Sequence, residues 1–179
     1  MKSESFHRVI ILTFVLTALL ISCRGKTRSE LIVPDGGRND MTELNRYLVQ
    51  KDREIIQNYI ERKDLGMRES STGLWYLIKK EGSGELITDN DMVTINYDCS
   101  LLDGTRCYSS DIMGPKEIVP GKTDVEQGLY EGLRMLKPGA EAVFIIPPFL
   151  AHGLIGDGNK IPPRAIIVYD IEVLSVIRQ

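Results

Sequence analysis

The chain has 179 residues, of which 42% are hydrophobic, and this is enough for one domain of ordinary size plus an extension. Its 22 basic and 25 acidic side chains give a net charge of −3. No basic stripe is present that could replace the counterions of a phosphate backbone, so the composition argues against nucleic acid as a partner.

Residues 1–22 have the layout of a bacterial signal peptide. Lys2 and Arg8 flank the start of an apolar run, Val9 to Ile21, which is too short to span a bilayer but suits a signal-peptide core. The run ends at Leu20-Ile21-Ser22-Cys23, a pattern that resembles a bacterial lipobox. Cleavage before Cys23 would make its thiol the lipidation site and attach the protein to a membrane of the cell envelope. A plain signal peptide or a short N-terminal anchor is the alternative.

Residues 23–39 are polar and contain Pro34 and Gly36-Gly37, which predicts a flexible tether. The next segment, residues 40–71, is predicted to be an N-terminal helical extension. We expect its helix to run from Met41 to Leu65, with Asp40 as the N-cap and Gly66 at the C-terminal cap.

Apolar side chains recur at helical spacing along this segment. They are Met41, Leu44, Leu48, Ile55 and Tyr59, with Tyr47, Ile56 and Ile60 widening the stripe. A stripe of this kind must be covered. It packs either on the neighbouring domain or on the same helix of a second copy, which would give a homodimer.

Residues 72–179 form the second predicted domain, in which short strands replace the helical pattern. Strands are expected over Leu74–Ile78, Met92–Leu101, Glu141–Ile146 and Ala165–Val176. A helix is expected from Val125 to Leu136. These elements predict an α+β fold in which a curved antiparallel β-sheet wraps on a short α-helix.

Cys99 and Cys107 flank Leu102-Asp103-Gly104-Thr105, which reads as a hairpin turn. Two thiols on adjacent strands could form a disulfide in an oxidising compartment. The alternative is two separate, half-buried thiols that pack as small hydrophobic side chains. No Cys/His cluster has the spacing of a metal site, so neither metal nor cofactor is expected. The glycines of Gly153–Gly158 are interpreted as a flexible loop.

The stretch from Gly128 to Leu174 carries the most specific pattern. A Gly-x-x-Glu-Gly helix leads through Lys137-Pro138-Gly139 to a strand that ends in proline, and Ala151-His152-Gly153, Ile161-Pro162-Pro163 and a closing Val-Tyr-Asp-Ile-Glu strand follow. This order resembles FKBP-type peptidyl-prolyl cis/trans isomerases. The resemblance implies an FKBP-like fold, prolyl isomerase activity without a cofactor, and proline-containing polypeptides as clients.

The resemblance also implies a set of site residues. The side chains that would surround the proline are Tyr97, Val125, Leu129, Ile161 and Tyr169. The backbone N–H of Glu126 would bind a substrate carbonyl.

Three positions depart from the family pattern. Cys107 replaces an aromatic residue on the pocket rim, and Tyr108 replaces a carboxylate that helps to organise the site. His152 stands where a tyrosine is usual, and its imidazole could donate to the substrate in place of the phenol. These departures predict weakened turnover. The alternative is a binding or chaperone module that holds proline-bearing segments without useful catalysis.

The segments 108–116, 121–125 and 156–161 also resemble gliding-motility-associated FKBP-like lipoproteins of the Bacteroidetes. The residues after Cys23 are basic and lack the acidic cluster associated with surface export in that phylum. We therefore expect the folded part to face the periplasm.

Overall fold

The computed structural model of the protein describes residues 38–178. The predicted signal peptide, Cys23 and nearly all of the predicted tether lie outside the described residues. Over the described range, no helix is both long enough and apolar enough to cross a membrane. Residues from Met41 onward form one compact unit.

Helix α1 runs from Arg38 to Lys63. It begins before Asp40, so the predicted N-cap is wrong: Arg38 and Asn39 tolerate helical geometry, and Asp40 lies in the first turn. There its carboxylate still interacts favourably with the helix dipole. Asp64 follows the last helical residue and adopts a left-handed conformation (φ 51°). It therefore takes the place at the C-terminal cap that was predicted for Gly66. Aspartate is one of the few side chains that tolerate this region.

The apolar stripe of α1 has two halves with different surroundings. Near the C-terminal end, Ile56 is 1% exposed and packs with Trp75, Ile145 and Ile166 on one face of the sheet. Near the N-terminal end, Met41 is 62% exposed, and other apolar side chains of the same half are also exposed. Among the described residues, the sheet therefore covers the helix only in its second half, and even there Ile55 is exposed.

Within residues 38–178, seven strands form one antiparallel sheet, in the order β1-β2-β6-β7-β3-β4, with β5 pairing with β3. The strands are β1 (Arg68–Glu69), β2 (Trp75–Lys80), β3 (Met92–Leu101), β4 (Arg106–Ser109), β5 (Lys116–Ile118), β6 (Glu141–Ile146) and β7 (Ile167–Ile177). Two short helices and a 3-10 turn complete the fold: α2 (Ser110–Met113), α3 (Gln127–Leu133) and the 3-10 turn Pro148–Leu150. The predicted α+β architecture is confirmed.

Strand β6 shows how the sheet separates its two faces. Successive side chains of a strand point to opposite sides. Phe144 and Ile146 belong to the main core, whereas Ile145 belongs to the cluster under α1. The sheet is thus buried on both faces in this region.

Helix α3 lies very close to the sheet. A Cβ atom added to Gly132 would meet Cε2 of Phe144 at 2.6 Å, and one added to Gly128 would meet Cγ2 of Ile146 at 2.4 Å. Leu129 and Leu133, on the same helix, are completely buried. The glycines allow this approach, and the helix is shorter than the predicted span from Val125 to Leu136.

The two thiols of Cys99 and Cys107 are free and fully buried. An irregularity between Cys99 and Ser100 shifts the register, so Cys99 stands opposite Tyr108 rather than Cys107. The disulfide alternative is therefore wrong, and the thiols are more deeply buried than the other alternative supposed. Burial raises the pKa of Cys99 to about 12, so this thiol stays protonated.

Candidate functional site

A cleft of about 320 Å³ opens beside strands β3 and β7. We call it the tyrosine cleft. Its walls are formed by Tyr97, Tyr108, Glu126, His152 and Tyr169, together with the segment Met113–Lys116. The rings of Tyr97 and Tyr169 lie 6.1 Å apart between centroids and are tilted by 47°. This spacing lies within the range of interacting aromatic pairs.

Tyr97 is fixed by a serine that the sequence did not single out. The backbone N–H of Tyr97 donates to Oγ of Ser110 at 2.6 Å, and this hydroxyl donates to the carbonyl of Tyr97 at 3.2 Å. The phenol of Tyr97 points toward Sδ of Met113, 3.8 Å away. Burial, with smaller contributions from Cys99 and Glu126, raises the pKa of Tyr97, so its hydroxyl remains a neutral donor.

A carboxylate lies on the wall of the cleft. Oε1 of Glu126 accepts a hydrogen bond from the hydroxyl of Tyr169 at 3.0 Å and lies 3.0 Å from Nε2 of His152. Its Oε2 is buried and has no hydrogen-bond partner among the described residues. Burial first, and the carboxylate second, raise the pKa of Tyr169, which therefore keeps its proton. The sequence pointed to the backbone of Glu126, whereas the structure brings its side chain to Tyr169 and His152.

Tyr108, which replaces the acid of the family pattern, is itself bonded to an acid. Its hydroxyl donates to Oδ2 of Asp157, and the ammonium of Lys160 lies 5.3 Å from the centre of its ring. Oδ1 of Asp157 accepts the backbone N–H groups of Asn159 and Ile161, each at 2.8 Å. Asp157 thus links the cleft wall to the backbone of Ile161.

These bonds change the interpretation of the loop from Gly153 to Gly158. The N–H of Asp157 donates to the carbonyl of Ile161, and a Cβ on Gly156 would lie 2.2 Å from that same carbonyl oxygen. A close turn in this loop needs Gly156, and Asp157 caps the turn through its hydrogen bonds. The signal available in the sequence was the Asp between two glycines, a pattern typical of such turns.

The other predicted site residues within the described part of the chain do not line the cleft. Leu129 and Ile161 are buried in the main core, and Val125 packs partly against it. Cys107 does not lie on the rim: it is 2% exposed, with its Sγ 3.6 Å from the carbonyl of Lys160. Lys116 and Met113, which the sequence did not suggest, occupy the wall instead. Within residues 38–178, no group of three or more His, Cys, Asp or Glu side chains could hold a metal ion.

An antiparallel sheet wrapped on a short helix, with an aromatic cleft at its side, is the architecture of a class of polypeptide-binding isomerase domains. The family model described as "FKBP-type peptidyl-prolyl cis-trans isomerase" matches residues 84–174, about half of the chain. The chain belongs to this family.

Similar proteins carry the same description. A probable FKBP-type peptidyl-prolyl cis-trans isomerase FkpA of Neisseria meningitidis is 39% identical over 111 residues, which are 62% of this chain and 40% of the relative. FkpA of Escherichia coli K12 is 39% identical over 115 residues, 64% of this chain and 42% of the relative. The chain thus spans about two fifths of the length of these relatives.

Solved structures show the same fold. The crystal structure of FkpA from Escherichia coli has a TM-score of 0.64 at 26% identity and covers 99% of this chain and 74% of that one. The crystal structure of AtFKBP13 has a TM-score of 0.57 at 27% identity and covers 61% of this chain and 97% of that one. The FKBP-like fold expected from the sequence is confirmed.

Proposed function

We propose that the protein is a peptidyl-prolyl cis/trans isomerase that acts on proline-containing polypeptides in the tyrosine cleft. The observation that carries this proposal is the pairing of Tyr97 and Tyr169 in the wall of the cleft, at positions that match the family pattern. Weakened turnover, and the roles of individual residues, are part of the same proposal.

The chemistry required is modest. Rotation about an X-Pro bond meets a barrier of about 18–20 kcal/mol because amide resonance resists it. A cleft that removes water from the amide weakens this resonance, and donors placed for the twisted amide stabilise its transition state. Aromatic walls can hold the proline ring. The neutral hydroxyl of Tyr97 and the backbone N–H of Glu126 are the donors we assign to this task.

The test is a proline-limited refolding assay, in which isomerisation is the slow step. The purified protein should accelerate refolding, and a Tyr97→Ala variant should not. Circular dichroism must show that the variant is folded. Absence of acceleration at micromolar concentration would contradict an enzyme. Retained peptide binding in that case would favour the alternative, a binding or chaperone module of a gliding or secretion assembly. The sequence resemblance of segments 108–116, 121–125 and 156–161 to gliding-motility lipoproteins is the reason for naming such an assembly.

We further propose that the protein is a lipoprotein of the cell envelope, attached through Cys23 and facing the periplasm, where it assists the folding of envelope proteins. The support is the lipobox-like sequence that ends at Cys23 and the basic residues that follow it. Metabolic labelling with a palmitate analogue tests this. Label and membrane association should both be lost in a Cys23→Ala variant, and unlabelled parent protein would contradict the proposal.

The uncovered half of α1 leads us to propose a homodimer formed through this helix. Met41, Leu44 and Tyr47 are exposed apolar side chains that recur at helical spacing. Sedimentation of the parent protein should give a dimer mass, and a Leu44→Glu variant should give a monomer. A monomeric parent at high micromolar concentration would contradict this proposal.

A further inference from the structure

An ion pair joins helix α1 to the loop beside the tyrosine cleft. Nη2 of Arg164 lies 2.8 Å from Oδ1 and 3.0 Å from Oδ2 of Asp52. The Asp52 side chain is 8% exposed and that of Arg164 is 32% exposed. The two residues are 112 positions apart, so the pair is a tertiary contact.

The backbone of Arg164 closes a loop that contains one predicted site residue and directly follows another. Its N–H donates to the carbonyl of Gly153 at 3.0 Å, so the segment between them forms a closed loop that contains Ile161 and begins directly after His152. Arg164 has a φ of 58°, a left-handed conformation that is unfavourable for arginine. Such a conformation persists where the surroundings hold it. The ion pair between Asp52 and the Arg164 side chain is one contact that can maintain this conformation.

The position of Asp52 is not explained by the packing of the helix. Asp52 and Ile56 are four residues apart and therefore lie on the same face of α1. Ile56 already packs with Trp75, Ile145 and Ile166. A carboxylate removed from water next to this cluster costs free energy unless it is paired. The ion pair fixes the position of the Arg164 side chain and thereby of its loop. An apolar side chain at position 52 could not do this.

We propose that Asp52 is a positioning residue for the isomerase site: through Arg164 it holds the loop that follows His152, a residue of the cleft wall, and that contains the buried Ile161. The proposal rests on the isomerase function proposed above. Helix α1 then serves the site directly and is not only an extension of the domain. A purely structural reading, in which the pair only fastens α1 to the sheet, makes different predictions.

The test compares the parent with Asp52→Asn, Arg164→Gln and the double variant in the full chain. Three quantities are measured: kcat/KM on a proline-containing peptide, hydrogen exchange of the Arg164 amide, and the fluorescence of Trp75. Trp75 is the single tryptophan of the chain and lies under α1, so it reports whether the helix stays docked. Glu54→Gln is the matched control, since Glu54 lies on the same helix and, among the described residues, its side chain bonds only to Gln50 and Lys51.

Each single variant should lower kcat/KM about 5-fold to 10-fold, because small misplacement of a binding group is costly in catalysis. Exchange of the Arg164 amide should accelerate about 10-fold or more, since this bond closes the loop. Trp75 fluorescence should stay that of the parent. The double variant should be no worse than the worse single variant, since the two residues act through each other.

Two results would overturn the proposal. One is unchanged exchange and activity in Asp52→Asn. The other is a shift of Trp75 fluorescence that accompanies any loss of activity, which would mean that α1 has detached. A parent without isomerase activity would refute the proposed function, and the exchange measurement would then decide by itself whether Asp52 orders the loop.

Discussion

The hydroxyl of Tyr169 donates a hydrogen bond to Oε1 of Glu126 at 3.0 Å. This bond holds a carboxylate against the wall of a cleft whose function calls for apolar and neutral groups. His152 lies 3.0 Å from the same oxygen, so the only histidine after residue 22 is engaged with Glu126. The donor that we assign to Glu126 is its backbone N–H. Catalysis should therefore not depend on its side chain.

We therefore predict that Glu126→Gln keeps kcat/KM within about 3-fold of the parent, because the amide oxygen can still accept from Tyr169 and the backbone N–H is unchanged. Exchange kinetics on a proline-containing peptide measure this. Asp124→Asn, an exposed acid two residues earlier, is the control for the change in net charge. A loss of 100-fold or more would mean that the carboxylate takes part in the reaction.

The second prediction concerns acid stability. Burial of Asp157 works to raise its pKa, but the hydroxyl of Tyr108 and the N–H groups of Asn159 and Ile161 outweigh it and lower the pKa to about 2. A carboxyl whose pKa is lower in the folded than in the unfolded state stabilises the fold fully at pH values above its unfolded-state pKa. This contribution is lost as the pH falls through the folded-state pKa, toward 2.

Asp157→Asn should therefore lower the free energy of unfolding at pH 7 by about 1 kcal/mol. This is less than the full pKa shift would give, because solvent screens the charge of a partly exposed side chain. At pH 2 the difference from the parent should nearly vanish. Urea titrations at both pH values measure this. An equal difference at pH 7 and pH 2 would show that the charge of Asp157 does not contribute.

The third prediction concerns the acid that the family pattern has at position 108. Tyr108→Asp would place a second carboxylate beside Asp157 and remove the hydroxyl that now donates to it. We expect the variant to be destabilised by about 1–3 kcal/mol and to gain no activity. Tyr108→Phe, which loses the hydrogen bond without adding charge, should be destabilised by only about 1 kcal/mol. A Tyr108→Asp variant that is as stable as the parent and more active would contradict this view of Asp157.

The fourth prediction concerns the seat of α3 on the sheet. Gly132→Ala should destabilise the protein by about 1–3 kcal/mol, because the new methyl group would overlap the ring of Phe144. Gly66→Ala is the matched control, since nothing lies within 4 Å of the added atom and Gly66 has no left-handed backbone. Thermal unfolding followed by circular dichroism compares the two. Equal melting temperatures for the two variants would mean that α3 can move away from the sheet at no cost.

The long strands could be predicted from the sequence because their buried positions leave runs of apolar side chains, on one face in β3 and on both faces in β6. In β3, Val93, Ile95 and Cys99 alternate with polar residues, and the predicted bounds of β3 and β6 are those observed. The strands β1, β4 and β5 have two to four residues, too few for a pattern to stand out.

Register and loop contacts could not be predicted in the same way. The irregularity after Cys99 moves Cys107 away from its expected partner, and no local pattern announces it. The bonds from Asp157 to Tyr108 and from Asp52 to Arg164 join residues 49 and 112 positions apart. Such contacts depend on the folded sheet, and in the sequence Asp157, Asp52 and Arg164 look like ordinary solvated charges.

The most direct test of the central claim is NMR exchange spectroscopy on a short proline-containing peptide, which observes both isomers at equilibrium without any folding reaction. The uncatalysed interconversion takes tens of seconds or longer at 25 °C and gives no exchange peaks. A catalytic amount of the parent protein should produce exchange peaks between the cis and trans signals, and a folded Tyr97→Ala variant should not. Absence of exchange peaks with the folded parent would contradict the assignment of an isomerase.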